Sequence, residues 1–187
     1  IRKAYSFEEY LEMTEVLVLE GKTTGPDQSE KFIDFTRLNL HRIKRIYKTM
    51  KLDLDTVLMM EKEQEPMLWL VIAEAWCGDV AQNIPFIQAF SDLNPHIELK
   101  LVLKNEHPEL MQQFLTGGAE SIPKLICLDP RSFQVVGTWG PRPAGAQKIL
   151  ADYKSNPDRP KAEMLEDIQR WYLKDKGLSI QEEFRQK

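Results

Sequence analysis

Leu68-Trp69-Leu70-Val71-Ile72-Ala73-Glu74-Ala75-Trp76-Cys77-Gly78-Asp79-Val80 is the stretch that decides the fold. Its near-continuous apolar first half reads as a buried strand, and the helical pattern starts directly after the cysteine. A sulfur at a helix start meets unpaired backbone N–H groups and the positive end of the helix dipole. Both favour thiolate, the nucleophilic form of cysteine. Three residues on, where a dithiol site carries its second sulfur, stands Val80.

The chain has 187 residues, enough for one domain with additions and a sizeable core. A net charge of -4 gives no basic footprint for nucleic acid. Arg42, Lys44, Arg45 and Lys48 form one basic cluster, read at helical spacing as a solvated face. No apolar run approaches the ~18 residues of a membrane span. No charged-then-apolar leader opens the chain, although its first residue is Ile1, so a removed leader stays open. Two cysteines in unlike contexts, Cys77 and Cys127, argue against a disulfide scaffold and for a reducing compartment, hence a cytoplasmic protein. His41, His96 and His107 show no metal-ligand spacing, and no metal or bound cofactor is expected.

Three parts follow along the chain, expected to form one compact unit. Residues 1–66 read as a helical extension, with Ser6 and Glu9 as a capping box, Gly21 as a helix end and Asp53 as the cap of a short third helix. Phe32, Phe35, Leu38, Ile43 and Ile46 supply the apolar stripe of the second helix, and Thr23, Thr24, Gln28 and Ser29 read as a polar connector. Residues 67–154 alternate strands and helices: a strand over 68–75, a helix over 78–94, a strand over 97–103, a short helix over 108–115, and a hairpin of strands 124–128 and 133–138. A helix then runs through Ile149 and Leu150. Residues 155–187 open with a linker over 155–160 and continue as a helix with Met164, Ile168, Trp171 and Tyr172 on one face. The tail after Gly177 reads as polar and loose.

This order resembles the thioredoxin fold, an α/β fold with a central mixed sheet flanked by helices, here with added helices at both ends. Trp76-Cys77-Gly78 looks like the start of the thioredoxin active site. Pro85 sits where that family kinks the following helix, Ser121-Ile122-Pro123-Lys124 is similar to its cis-proline element, and Gly140 follows the hairpin as in thioredoxins. The Trp-Cys-Gly-Asp motif, the helical extension and Trp139-Gly140-Pro141-Arg142-Pro143 resemble a bacterial branch of thioredoxin-like proteins. Val80 stands where the family has its resolving cysteine, Asp79 where it has a proline, and Val71 and Leu101 where it has a buried aspartate and lysine. Cycling of a dithiol within the motif is therefore impossible.

The resemblance implies the fold first; the lone thiolate it leaves at the helix start is expected to carry out monothiol thiol–disulfide exchange, with Cys77 as nucleophile and an external thiol resolving the mixed disulfide. Trp76, Gly78, Asp79, Ile122 and Pro123 are the expected substrate-binding residues, with a protein or small-molecule disulfide as partner and a low-molecular-weight thiol as co-substrate. Glu74 and Asp79 lie near Cys77 in sequence, and a carboxylate beside the sulfur would raise its pKa. Lys124 and Arg142 are candidates to hold a carboxylated thiol; Cys127 reads as core. Two other readings stay open: a thioredoxin-fold binding or adaptor module without turnover, and a peroxide-responsive thiol that passes through a sulfenic acid.

Overall fold

A computed structural model describes residues 3–156 and 158–186. Pro157 of the expected linker lies outside the described residues, as do Ile1, Arg2 and Lys187. Four strands form one sheet in the order β2-β1-β3-β4: β1 Met67–Ala73, β2 Ile97–Leu103, β3 Lys124–Leu128 and β4 Val135–Trp139. β1 pairs parallel with β2 and antiparallel with β3, and β3 pairs antiparallel with β4. The outer edge of β2 is partly covered, because Tyr5 and Leu101 exchange both backbone hydrogen bonds at 2.8 Å. From Trp69 to Ala73 every residue of β1 is buried, as a central strand covered on both faces requires.

Three helices precede the sheet: α1 Phe7–Leu19, α2 Glu30–Thr49 and α3 Leu54–Lys62. The Ser6–Glu9 capping box forms, and the Asp53 side chain accepts from the Thr56 N–H at 2.8 Å. The expected stripe on α2 holds only in part. Its buried residues are Thr36, Asn39, Leu40 and Ile43, whereas Leu38 and Phe35 are exposed. The polar members of that face bond inward: Asn39 Nδ2 donates to the Ala75 carbonyl at 3.0 Å.

Helix α4, Gly78–Asp92, follows β1, and α5, Pro108–Gln113, follows β2. Residues 80–91 of α4 are all buried, since the sheet takes one face and added helices cover the other. Pro85 lies inside α4, where its missing N–H leaves the Ala81 carbonyl without its helical donor.

After the sheet come α6 Ala144–Ser155, α7 Lys161–Asp175 and α8 Leu178–Arg185. Met164, Ile168 and Tyr172 of α7 bury against Ala146, with Ile149, Leu150, Tyr153 and Trp171 alongside. The segment after Gly177 departs from the expected loose tail. It forms α8, whose Ile180 and Phe184 enter the main core. Phe184 packs against Trp69, Phe90 and Trp139, with ring centres 4.9–5.7 Å apart. Three aromatic partners from β1, α4 and β4 recruit this last helix into the sheet's core.

Candidate functional site around Cys77

β1 ends at Ala73, and Glu74, Ala75 and Trp76 turn the chain so that Cys77 becomes the N-cap of α4. The turn is held from outside the core: the Ala75 N–H donates to Thr24 Oγ1 at 3.0 Å and its carbonyl accepts from Asn39. Thr23 and Thr24 are buried, and Thr23 pairs with Thr36 at 2.5 Å. The polar loop expected to be a plain connector therefore braces the segment that carries the cysteine. Trp76 stands edge-on to Phe32 of α2, ring centres 5.1 Å apart.

Cys77 is half-buried, and its Sγ faces the Ile122 carbonyl at 3.4 Å. The Ile122–Pro123 peptide bond is cis, as is Gly140–Pro141. Gly140 has φ +109°, and a side chain there would run into the Pro123 carbonyl. Pro123 and Gly140 thus sit side by side, with Ile122 turned to the sulfur.

The thiol is pushed up to about 12. Burial is the main cause, and the negative charge of Asp79 adds to it. The Val80 and Asp79 N–H groups, which form no full capping bond to the sulfur, pull the other way, as does Arg142. The favourable helix start is thereby outweighed by burial, and Cys77 rests as a thiol donating to Ile122.

Asp79 belongs to a closed network. Its Oδ2 accepts from Arg142 Nη2 at 2.5 Å and Nε at 3.0 Å, and its Oδ1 from the Tyr172 hydroxyl at 2.8 Å. Tyr172 in turn accepts from Asn83 Nδ2 at 2.9 Å, and Arg142 Nη1 donates to Gln147 at 3.1 Å. The side chains of Arg142 and Asp79 are only 13% and 12% exposed, so water screens this pair little. Arg142 is consequently committed to Asp79. Lys124, the other expected cation, is buried and donates to Thr116 Oγ1 at 3.1 Å.

Glu74 points away from the sulfur. Its Oε1 accepts from the Asn105 N–H at 2.9 Å and Nδ2 at 2.8 Å, and burial raises its pKa against opposing pulls from Thr24 and Asn105. Among the described residues the only buried side-chain oxygen or nitrogen atoms without a hydrogen-bond partner are Glu74 Oε2 and the Tyr10 hydroxyl. Burial also raises the pKa of Tyr10 well above its usual value, reinforced by the charge of Glu74 and by Cys77 once ionised. Cys127 lies four residues along β3 from Pro123, ~13 Å of strand, and its sulfur contacts Met67 Sδ at 3.3 Å. Both cysteines are free.

A family model described as Thioredoxin matches residues 25–154, more than half of the chain. The chain belongs to the thioredoxin family. This thioredoxin-family chain also resembles a protein of unknown function from Pseudomonas aeruginosa, with 20% identity, a TM-score of 0.52, and coverage of 82% of this chain and 89% of that one. An HIV epitope-scaffold crystal structure matches at 19% identity and a TM-score of 0.52, over 83% and 87% of the two chains. Both likenesses concern the fold. No curated protein matches the chain.

Sequence reasoning brought together Trp76, Cys77, Gly78, Asp79, Ile122 and Pro123, and these meet at the start of α4. It missed Tyr172, Tyr10 and Asn39, and read Thr24 as part of a connector; all four reach the site from the added segments. A glutamate closing an apolar strand, Glu74, was the one local signal of the buried polar groups beside them. Among the described residues no helix is long and apolar enough to cross a membrane.

Proposed function

We propose that this protein is a monothiol thiol–disulfide exchange protein with Cys77 as the attacking sulfur. The observation that carries the reading is the position of Sγ at the start of α4, 3.4 Å from the Ile122 carbonyl beside Pro123. An extended disulfide-bearing segment pairing with the backbone of Ile122 competes for that carbonyl and releases the thiol from its resting bond. Cys77 then gives its proton to solvent, and its thiolate attacks one sulfur of the external disulfide. A bond forms from Sγ to that sulfur, the original disulfide breaks, and the other half leaves as a thiolate that takes up a proton. A second external thiolate attacks the mixed disulfide and restores Cys77, so the cycle needs no other oxidant. Cys127 is too distant to resolve it, which makes the external thiol a required co-substrate. The motif, the helical extension and the unpaired cysteines support a place in the bacterial Trp-Cys-Gly-Asp branch and action in a reducing compartment, the cytoplasm.

A thiol that titrates near 12 has about a thousandth of the usual thiolate fraction at neutral pH, but each thiolate is more nucleophilic. With a Brønsted slope of about 0.45, the net penalty is a few tens of fold relative to an ordinary cysteine. The same raised pKa favours the second reading, a binding module in which Cys77 is inert. The test is exchange with a small neutral disulfide, followed by mass spectrometry. Exchange predicts a Cys77 mixed disulfide whose formation accelerates with pH and is absent in Cys77→Ser. A Cys77 that stays unmodified at pH 10, with partner binding untouched by Cys77→Ser, supports the binding module instead.

A further inference from the structure

A second cluster of cations, apart from Arg142, lies near the start of α4. Arg42 and Arg45 of α2 line a cleft of about 400 Å³ with His41, closed by Gln82 of α4 and Gln169 of α7. Leu38 and Leu173, both exposed, form its apolar rim. This volume lies within the usual range of small-ligand pockets, about 300–1,000 Å³. Among the described residues no carboxylate lines it. Lys44 of the same basic run is drawn off to Glu15 at 2.5 Å, but neither Arg42 nor Arg45 has a salt bridge among the described residues. There, the only hydrogen bond made by the Arg42 guanidinium is to Asn39 Oδ1, at 2.7 Å.

The cleft also borders the cysteine. A Cβ placed on Gly78 would stand 3.3 Å from Gln169 Nε2 and 3.7 Å from Arg42 Nη1. Two of the cleft's polar side chains therefore lie against the residue that follows Cys77. Burial and the neighbouring Arg45 charge lower the pKa of Arg42 and the charge of Asp79 offsets them only in part, so a bound anion between the two guanidiniums would be favoured. Planar guanidiniums match carboxylates bidentately.

We propose that this cleft is the recognition site for the substrate of the exchange reaction, a small carboxylate-bearing thiol in its disulfide form. The carboxylate sits between Arg42 and Arg45, and the aliphatic part lies on Leu38 and Leu173. Gln82 Nε2 already donates to Gln169 Oε1 at 2.8 Å, so the pair forms the floor of the cleft, with Gln169 Nε2 left to donate to the ligand. Its sulfur is then presented past Gly78 to Cys77. The proposal rests on the exchange reading, and its test separates the two.

The probes are two aromatic disulfides of similar size, the dianionic dithiobis(nitrobenzoate) and the neutral dithiodipyridine. Their rates with Cys77 are taken as the difference between wild type and Cys77→Ser. The expected result is a tenfold or greater fall in the anionic-to-neutral rate ratio in Arg42→Gln/Arg45→Gln, with the wild-type preference collapsing at high salt. Arg45→Gln alone, an exposed position, gives the same direction if the double variant folds poorly. An unchanged ratio in a folded variant overturns the proposal. If neither probe reacts with Cys77, the exchange reading fails, and calorimetric titration of dithiobis(nitrobenzoate) into unreactive Cys77→Ser/Cys127→Ser decides the cleft. Saturable binding lost with the two arginines supports it, and no saturable binding overturns it.

Discussion

Two arginine groups near the α4 start are in opposite states. On one flank, Arg142 is locked to Asp79, with Tyr172, Asn83 and Gln147 completing the network. On the other, Arg42 and Arg45 face a cleft without a carboxylate among the described residues. The difference separates two tasks. The closed flank fixes the helix start and sets the charge felt by Cys77, since Asp79 raises the thiol and Arg142 lowers it. The open flank has two arginines without a salt bridge among the described residues, Arg42 offset only in part by the charge of Asp79, and so has positive charge for a ligand. An arginine near a cysteine is thus not one kind of feature: its partner decides whether it is scaffold or recognition.

The largest expected effect comes from breaking the closed flank. Asp79→Asn removes the negative charge beside the sulfur and leaves Arg142 unneutralised, so both changes lower the Cys77 pKa. A tenfold gain in thiolate, partly offset by about threefold weaker nucleophilicity, should speed alkylation of Cys77 at pH 8 about threefold or more. The same change leaves a little-exposed guanidinium unpaired and should cost on the order of 3 kcal/mol in urea unfolding. Arg142→Gln should destabilise comparably but slow alkylation, because Asp79 then acts unopposed. The contrast in sign between the two variants is the sharpest test of the network.

A smaller effect belongs to Tyr172→Phe, which removes one hydrogen bond to Asp79 while keeping the ring packed. It should cost about 1–2 kcal/mol, with Asn83 losing one of its two acceptors as well. The smallest is the pH response of Glu74, behind both flanks. Burial raises its native pKa above the unfolded value of about 4.3, so the native state holds its proton longer. Stability should therefore fall as pH rises from about 4 through the raised native pKa, then level off. Glu74→Gln should lack that slope in thermal melts taken across this window. A slope shared by both proteins would assign it to another group.

The sheet and the Cys77 corner were legible because they depend on near neighbours. A continuous apolar run bounds β1, alternation marks β2, and Ile122-Pro123 and Gly140 sit at positions that the thioredoxin resemblance supplies. Spacing failed where burial depends on a distant partner. Phe35 and Leu38 are apolar at helical spacing, yet α2 turns Thr36 and Asn39 inward because Thr23 and Ala75 wait there with polar groups to satisfy. Ile180 and Phe184 are isolated among charges in the sequence. Only Trp69, Phe90 and Trp139, far away along the chain, make α8 part of the core. The basic run on α2 looked uniform, but Lys44 meets Glu15 while Arg42 turns to the α4 start. Nothing within the run distinguishes them.

The most direct measurement is the alkylation rate of Cys77 as a function of pH, read by mass spectrometry at that residue. A thiol held protonated by burial and Asp79 predicts a rate that climbs without a plateau past about pH 9, toward an apparent pKa of about 12 in wild type and lower in Asp79→Asn. A wild-type plateau at or below the free-cysteine value of about 8.5, unmoved by Asp79→Asn, would contradict it.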